Sequence, residues 1–196
     1  VAPQPEMLAL NEYGDKRDRF ARFIRDFYWT EEVLPAKRRE GKEPEAFEVF
    51  EKSQQYVRRF NDFIFAAKGG HNSEPHNHND IAGFGLIVNG EEIFCELGAG
   101  EYTKDYFGSQ RYKDLHTSSL GHNVPKIDGM EQICGKEASA EEFRVGKNSV
   151  YISFARAYGI KEKKVTRYVK FEDKKILIKD EIEAGEVTER FILKKE

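Results

Sequence analysis

The sequence predicts an antiparallel β-sandwich preceded by one short helix, on two observations. Apolar residues recur at helical spacing only near the N-terminus, and after a charged linker the period switches to the two-residue alternation of strands. The many short runs that follow are joined by tight-turn chemistry, without the intervening helices that a parallel sheet requires.

Phe20, Phe23, Ile24, Phe27 and Tyr28 fall on one helical face, and Gly14-Asp15 offers a turn and an N-cap, so a helix is expected from Asp15 to Trp29. Lys37 to Pro44 is charged, contains Gly41 and lies between Pro35 and Pro44, which makes it a linker. The expected division is a helical remnant plus linker over residues 1–44 and a sandwich domain over 45–196. Strand-like runs then follow at Phe47 to Phe50, Tyr56 to Phe60, Phe63 to Ala67, Phe84 to Val88 and Ile93 to Leu97. They resume at Glu142 to Val145, Val150 to Ala155, Val165 to Phe171, Ile176 to Ile182 and Val187 to Leu193. Asn89-Gly90 and Glu172-Asp173-Lys174 supply turns between neighbours.

The chain has 196 residues, of which 39% are hydrophobic and 13% aromatic, enough for one sizeable core. A net charge of -3 gives no global basic field for nucleic acid or a membrane surface. No stretch approaches the roughly 18 apolar residues of a membrane span, so neither partner is expected. Cys95 and Cys134 are far apart and outside any CxxC pattern, which leaves a disulfide, free thiols or core burial open, with two buried thiols the simplest expectation. The start at Val1 and the strand-like finish at Arg190 to Leu193 suggest a piece of something longer. Periplasmic or secreted placement is favoured over cytoplasmic.

All five histidines, His71, His76, His78, His116 and His122, lie between positions 71 and 122. An extended His76-Asn77-His78 would project both imidazoles to one face. Glu96 closes the strand-like run after the Asn89-Gly90 turn, and His122 in Gly121-His122-Asn123 can close a third side. Two imidazoles and a carboxylate suit Zn²⁺ or another divalent transition ion, with Asp80 orienting a ligand from outside. Any one of these histidines is more simply a capping group in a polar loop. Gly83, Gly85, Gly98 and Gly100 read as bends. Tyr102, Tyr106 and Tyr112 follow closely, and a tyrosine near Arg111 can exchange a proton once its pKa is lowered, although packing is the simpler role for each.

The run Gly69-Gly70-His71-Asn72-Ser73-Glu74-Pro75-His76-Asn77-His78-Asn79-Asp80, followed by Phe84, Glu96-Leu97-Gly98, Glu101-Tyr102-Thr103 and Ser118 to Asn123, resembles the C-terminal part of the bacterial heparinase II/III-like polysaccharide lyases. The match spans Tyr56 to Gly129. By this resemblance His76 is the catalytic histidine facing the sugar, Tyr112 the base, and His78, Glu96 and His122 the ligands of one structural zinc. His71, Asp80, Tyr102, Arg111 and Asn123 are then expected to orient those groups or contact substrate. The partner implied is an acidic polysaccharide or oligosaccharide, heparan-like or alginate-like, cleaved by β-elimination. Two features depart from the family's pattern: aspartate is the commoner acidic ligand where this chain has Glu96, and the N-terminal helical domain is almost wholly missing, so the segment alone is expected to be weakly active or inactive.

Two rival readings are distinguishable. A cupin-like metal enzyme needs a glutamate four or five residues after its second histidine, where this chain has Ala82 and Gly83. A non-catalytic carbohydrate-binding or scaffolding sandwich would keep the metal for stability alone.

Overall fold

The computed structural model of the chain describes residues 46–60, 62–173 and 175–194. The chain divides into two units, Val1–Glu43 and Pro44–Glu196, and every described residue belongs to the second. The helix expected at Asp15 to Trp29 and the linker after it lie outside the described residues.

Strands β1 (Ala46–Phe50), β2 (Gln55–Phe60), β3 (Phe63–Lys68), β5 (Phe84–Val88) and β6 (Glu91–Phe94) form a five-stranded sheet in the order β1-β2-β3-β5-β6. Strands β9 (Glu142–Gly146), β10 (Ser149–Ser153), β11 (Val165–Glu172) and β12 (Lys175–Ile182) form a four-stranded sheet in the order β12-β11-β10-β9. Every pairing in both sheets is antiparallel. Two small ladders complete the unit, β4 (His71–Asn72) on β8 (Gly135–Ser139) and β7 (Lys126–Ile127) on β13 (Val187–Thr188). Asn89 and Gly90, both at positive φ (52° and 83°), make the two-residue turn that joins β5 to β6 and matches the strand twist.

The alternation expected from sequence is what joins the sheets. Tyr56 and Phe60 of β2 and Phe65 of β3 turn inward against Val165, Val169 and Phe171 of β11. Phe171 sits at the centre, its ring 5.9 Å from Tyr56, 5.5 Å from Phe60 and 5.3 Å from Phe65. Burying a side chain of this kind stabilises by about 1.5–3 kcal/mol before any cavity term.

Expectation and structure part where side chains take over the backbone's hydrogen bonds. The run expected to reach Leu97 stops at Phe94, because the Cys95 carbonyl accepts from Asn123 Nδ2 at 3.0 Å and the Cys95 N–H donates to Ile192 O at 3.0 Å. The run expected to reach Ala155 stops at Ser153, where Ala155–Tyr158 turns into a 3₁₀ segment closed by Gly159 at φ 71°. Strand β8 has one buried apolar side chain, Ala138, and so left no alternation to read. Both cysteines are free, and neither is buried: Cys95 is intermediate and Cys134 exposed, which corrects the expectation of two buried thiols.

Candidate functional site

The His76-Asn77-His78 segment is not a strand, so its two imidazoles do not share a face as the spacing suggested. His76 adopts φ 59°, a left-handed conformation that redirects the chain. The loop after it is fixed by main-chain and side-chain bonds to segments elsewhere. The Asn79 N–H donates to Thr117 O at 2.9 Å, Asn79 Nδ2 to Gln132 O at 3.1 Å, and Ser119 Oγ to Asn79 O at 2.9 Å. The buried Gln132 amide pairs with both main-chain groups of Ile81, accepting at 2.9 Å and donating at 2.7 Å. A loop whose polar backbone is satisfied this completely can hold functional side chains as firmly as a strand would.

The loop delivers Asp80 next to Glu96 and His122, and one ligand atom from each of the three lies within 4.8 Å of the others. Glu96 Oε2 is in direct contact with His122 Nδ1. His122 is buried, and its Nε2–H donates to the His116 carbonyl at 3.0 Å, so Nδ1 faces the carboxylates. The His78 ring stands 5.1 Å from that of His122, with its Nε2 3.4 Å from the Tyr106 hydroxyl. Lys68 Nζ pairs with Asp80 Oδ1 at 2.7 Å. Of the three expected ligands, Glu96 and His122 therefore touch, His78 lies alongside, and Asp80 sits closer to the pair than an orienting role required.

Burial, helped by the neighbouring His122, lowers the His78 pKa to about 4, which keeps its ring neutral as a metal ligand must be. Partial loss of solvent also raises the Glu96 carboxyl, against the opposing pull of His122. Burial works against charge on His122, but the Glu96 carboxylate outweighs it and the pKa is raised. Two imidazoles and two carboxylates, with one imidazole nitrogen tied to a carbonyl and the other turned inward, fit a divalent transition ion such as zinc.

His76 and Tyr112 meet at a different place, an open pocket of about 500 Å³ that Asn77, Phe107, Arg111 and Cys134 also line. The His76 ring packs edge-on to Phe107 at 5.9 Å, and the Tyr112 hydroxyl donates to Asn77 Oδ1 at 3.0 Å. Arg111 builds the wall: its Nη1 donates to Tyr106 O at 3.0 Å and its Nη2 to Asn77 O at 2.8 Å, while the guanidinium lies 4.8 Å over the Tyr106 ring. Tyr102 stacks on Tyr106 at 5.1 Å.

The remaining expected contributors hold structure. His71 Nδ1 accepts the Ser73 N–H at 3.2 Å. Asn123, buried, donates to Phe84 O (2.8 Å) and Cys95 O (3.0 Å) and accepts from the Ile192 N–H (2.6 Å), so it clamps β5, the end of β6 and the C-terminal segment. Lys68 and Gln132 carry contacts at the site that no motif in the sequence announced, and His116, a member of the histidine cluster, acts there through its main-chain carbonyl.

Two antiparallel sheets with a histidine–carboxylate cluster built around the buried His122, and an open pocket on their connecting loops, make this a β-sandwich domain that carries its functional groups outside the strands. Residues 23–193 match the family model described as Heparinase II/III-like, C-terminal, and the chain belongs to that family. A heparinase III structure superposes with a TM-score of 0.63 at 20% identity, covering 89% of this chain and 30% of its own. The heparan sulfate lyase HepC mutant from Pedobacter heparinus gives 0.61 at 18% identity, covering 88% of this chain and 29% of its own. A further heparinase III crystal structure gives 0.59 at 18% identity, covering 92% and 31%. This chain thus spans about 30% of the length of the structures it matches. No curated protein matches it in sequence.

Proposed function

We propose that the chain is the β-sandwich part of a polysaccharide lyase that cleaves a uronic-acid-containing polysaccharide by β-elimination. The observation that carries this reading is that His76 and Tyr112 line one open pocket while the metal-type cluster lies apart from it. In such a reaction a base removes the C5 proton of the uronate, the C4–O bond breaks, a double bond forms between C4 and C5, and an acid protonates the departing oxygen. Tyr112 and His76 are the groups at hand for these two proton transfers. His78, Glu96 and His122, with Asp80 beside them, would hold a structural zinc. Once bound, the ion would fix the loop that begins at His76.

Arg111 is the only lysine or arginine among the described residues lining the pocket, and its guanidinium is already used by two main-chain carbonyls. Neutralisation of the substrate carboxylate, without which C5 is too weak an acid, then falls to groups elsewhere in the full-length protein. This supports a fragment that binds sugar without turning it over.

The test is lyase assay of the full-length protein on heparan-type and alginate-type polymers, read by absorbance of the unsaturated product, with elemental analysis for zinc. Product on at least one uronate polymer and one zinc per chain are expected. Sugar binding with no unsaturated product from any uronate polymer would leave a binding module instead.

A further inference from the structure

We propose that Asp114 is a positioning residue for the metal-type cluster, acting on His122 through the peptide of His116. The proposal rests on the reading of that cluster as a metal centre. A single carboxylate oxygen of Asp114, Oδ1, accepts both the His116 N–H at 2.8 Å and His116 Nδ1–H at 2.9 Å. The Asp114 carbonyl accepts the Thr117 and Ser118 N–H groups at 3.3 and 3.0 Å, and Thr117 Oγ1 donates to Arg111 O. The two bonds to the Asp114 carboxylate and those to its carbonyl together hold the turn that carries the His116 peptide. Its carbonyl oxygen then stands 3.0 Å from His122 Nε2. Gly100 leaves room for the arrangement, since a Cβ there would fall 2.8 Å from His116 Nδ1.

The consequence is a choice of tautomer. A neutral imidazole carries one proton, and two acceptors compete for it at His122, the Glu96 carboxylate on the Nδ1 side and the His116 carbonyl on the Nε2 side. Only with the proton on Nε2 does Nδ1 present a lone pair to a cation shared with Glu96 and Asp80. By holding the His116 carbonyl in line, Asp114 favours the tautomer that can bind metal. Neither the spacing of the histidines nor their burial reveals this, because the group that acts on His122 is a backbone oxygen.

The experiment is zinc affinity by competition with a chromophoric chelator, on full-length wild-type protein and on Asp114→Ala and Asp114→Asn variants, together with the melting temperature of each metal-free form. Wild type is expected to bind one zinc. Asp114→Ala is expected to bind it about 10- to 100-fold more weakly, the usual effect of losing a partner that orients a metal-binding histidine. Asp114→Asn keeps an acceptor oxygen at the same place and is expected to recover most of the affinity, which a loss of charge or of loop stability alone would not do. Should the alanine protein not fold, Asp114→Glu displaces the carboxylate by one methylene and is expected to weaken zinc several-fold. Wild-type affinity in Asp114→Ala or Asp114→Glu, or an asparagine variant as weak as alanine, overturns the proposal while leaving the metal centre standing. A wild-type protein that binds no zinc removes the metal reading itself.

Discussion

Arg167 Nη1 donates to the carbonyl oxygen of Ala82 at 2.8 Å, and so ties the second sheet to the turn that follows Asp80. Ala82 sits at φ 64°, a conformation that costs an alanine roughly 1–2 kcal/mol and persists only when surrounding bonds impose it. The same nitrogen reaches Asn123 O at 2.7 Å, while Nε and Nη2 hold Asp180 at 2.8 and 2.5 Å. One buried guanidinium therefore anchors the segments on both flanks of the cluster. Arg167→Leu should destabilise the protein by about 3–5 kcal/mol in denaturant titration, since it strands a carboxylate and two carbonyls. Arg167→Lys should recover little, because an ammonium cannot serve all these acceptors at once. A leucine variant within about 1 kcal/mol of wild type would show that the anchor is dispensable.

Glu189 supplies a pH dependence at the same anchor. Partial burial first, and the neighbouring Asp180 second, raise its carboxyl to about 7, while Arg167 at 3.6 Å pulls the other way. A carboxyl raised in the folded state keeps a proton that the unfolded chain releases, so its contribution to stability is present at low pH and is lost as pH rises through about 7. Between about pH 5 and pH 8, Glu189→Gln should therefore lose less stability than wild type in paired denaturation curves. Identical curves for the two proteins would remove Glu189 from the account.

The sheets were legible because their strands alternate: β2, β3, β10 and β11 turn every second residue inward and carry the aromatic and β-branched side chains that make such runs stand out. The residues of the site were legible as a cluster of types, but their arrangement was not. His76 and His78 were expected on one face and separate into a pocket and the metal-type cluster, because a positive φ at His76 breaks the two-residue period. Gln132 and Arg167 escaped notice since their roles depend on hydrogen bonds to main-chain atoms some 50 and 85 positions away, which no local pattern encodes.

His122→Ala should lower zinc content and melting temperature together. It removes the buried imidazole that contacts Glu96 and leaves that carboxylate without its partner. An ion bound only by the folded state stabilises it by mass action, so the fall in melting temperature should be larger with zinc present than after chelation. Equal losses with and without zinc would mean that His122 is a packing residue only.

His76→Ala and Tyr112→Phe should each reduce lyase activity of the full-length protein by about 10²- to 10⁴-fold, the range for removing one proton-transfer group. The two side chains line the pocket and neither is among the residues that group as a metal site, so zinc content should stay at the wild-type value in both variants. That contrast with His122→Ala separates loss of chemistry from loss of structure. Tyr112→Phe also frees Asn77 Oδ1 from its 3.0 Å bond while leaving the ring in the wall, so a small change in KM beside a large fall in kcat is the expected signature. The 196-residue chain should bind uronate oligosaccharides and produce little or no unsaturated product, because Arg111 is already committed to main-chain carbonyls. Full turnover by that chain, unchanged by His76→Ala, would overturn both the assignment and its mechanism.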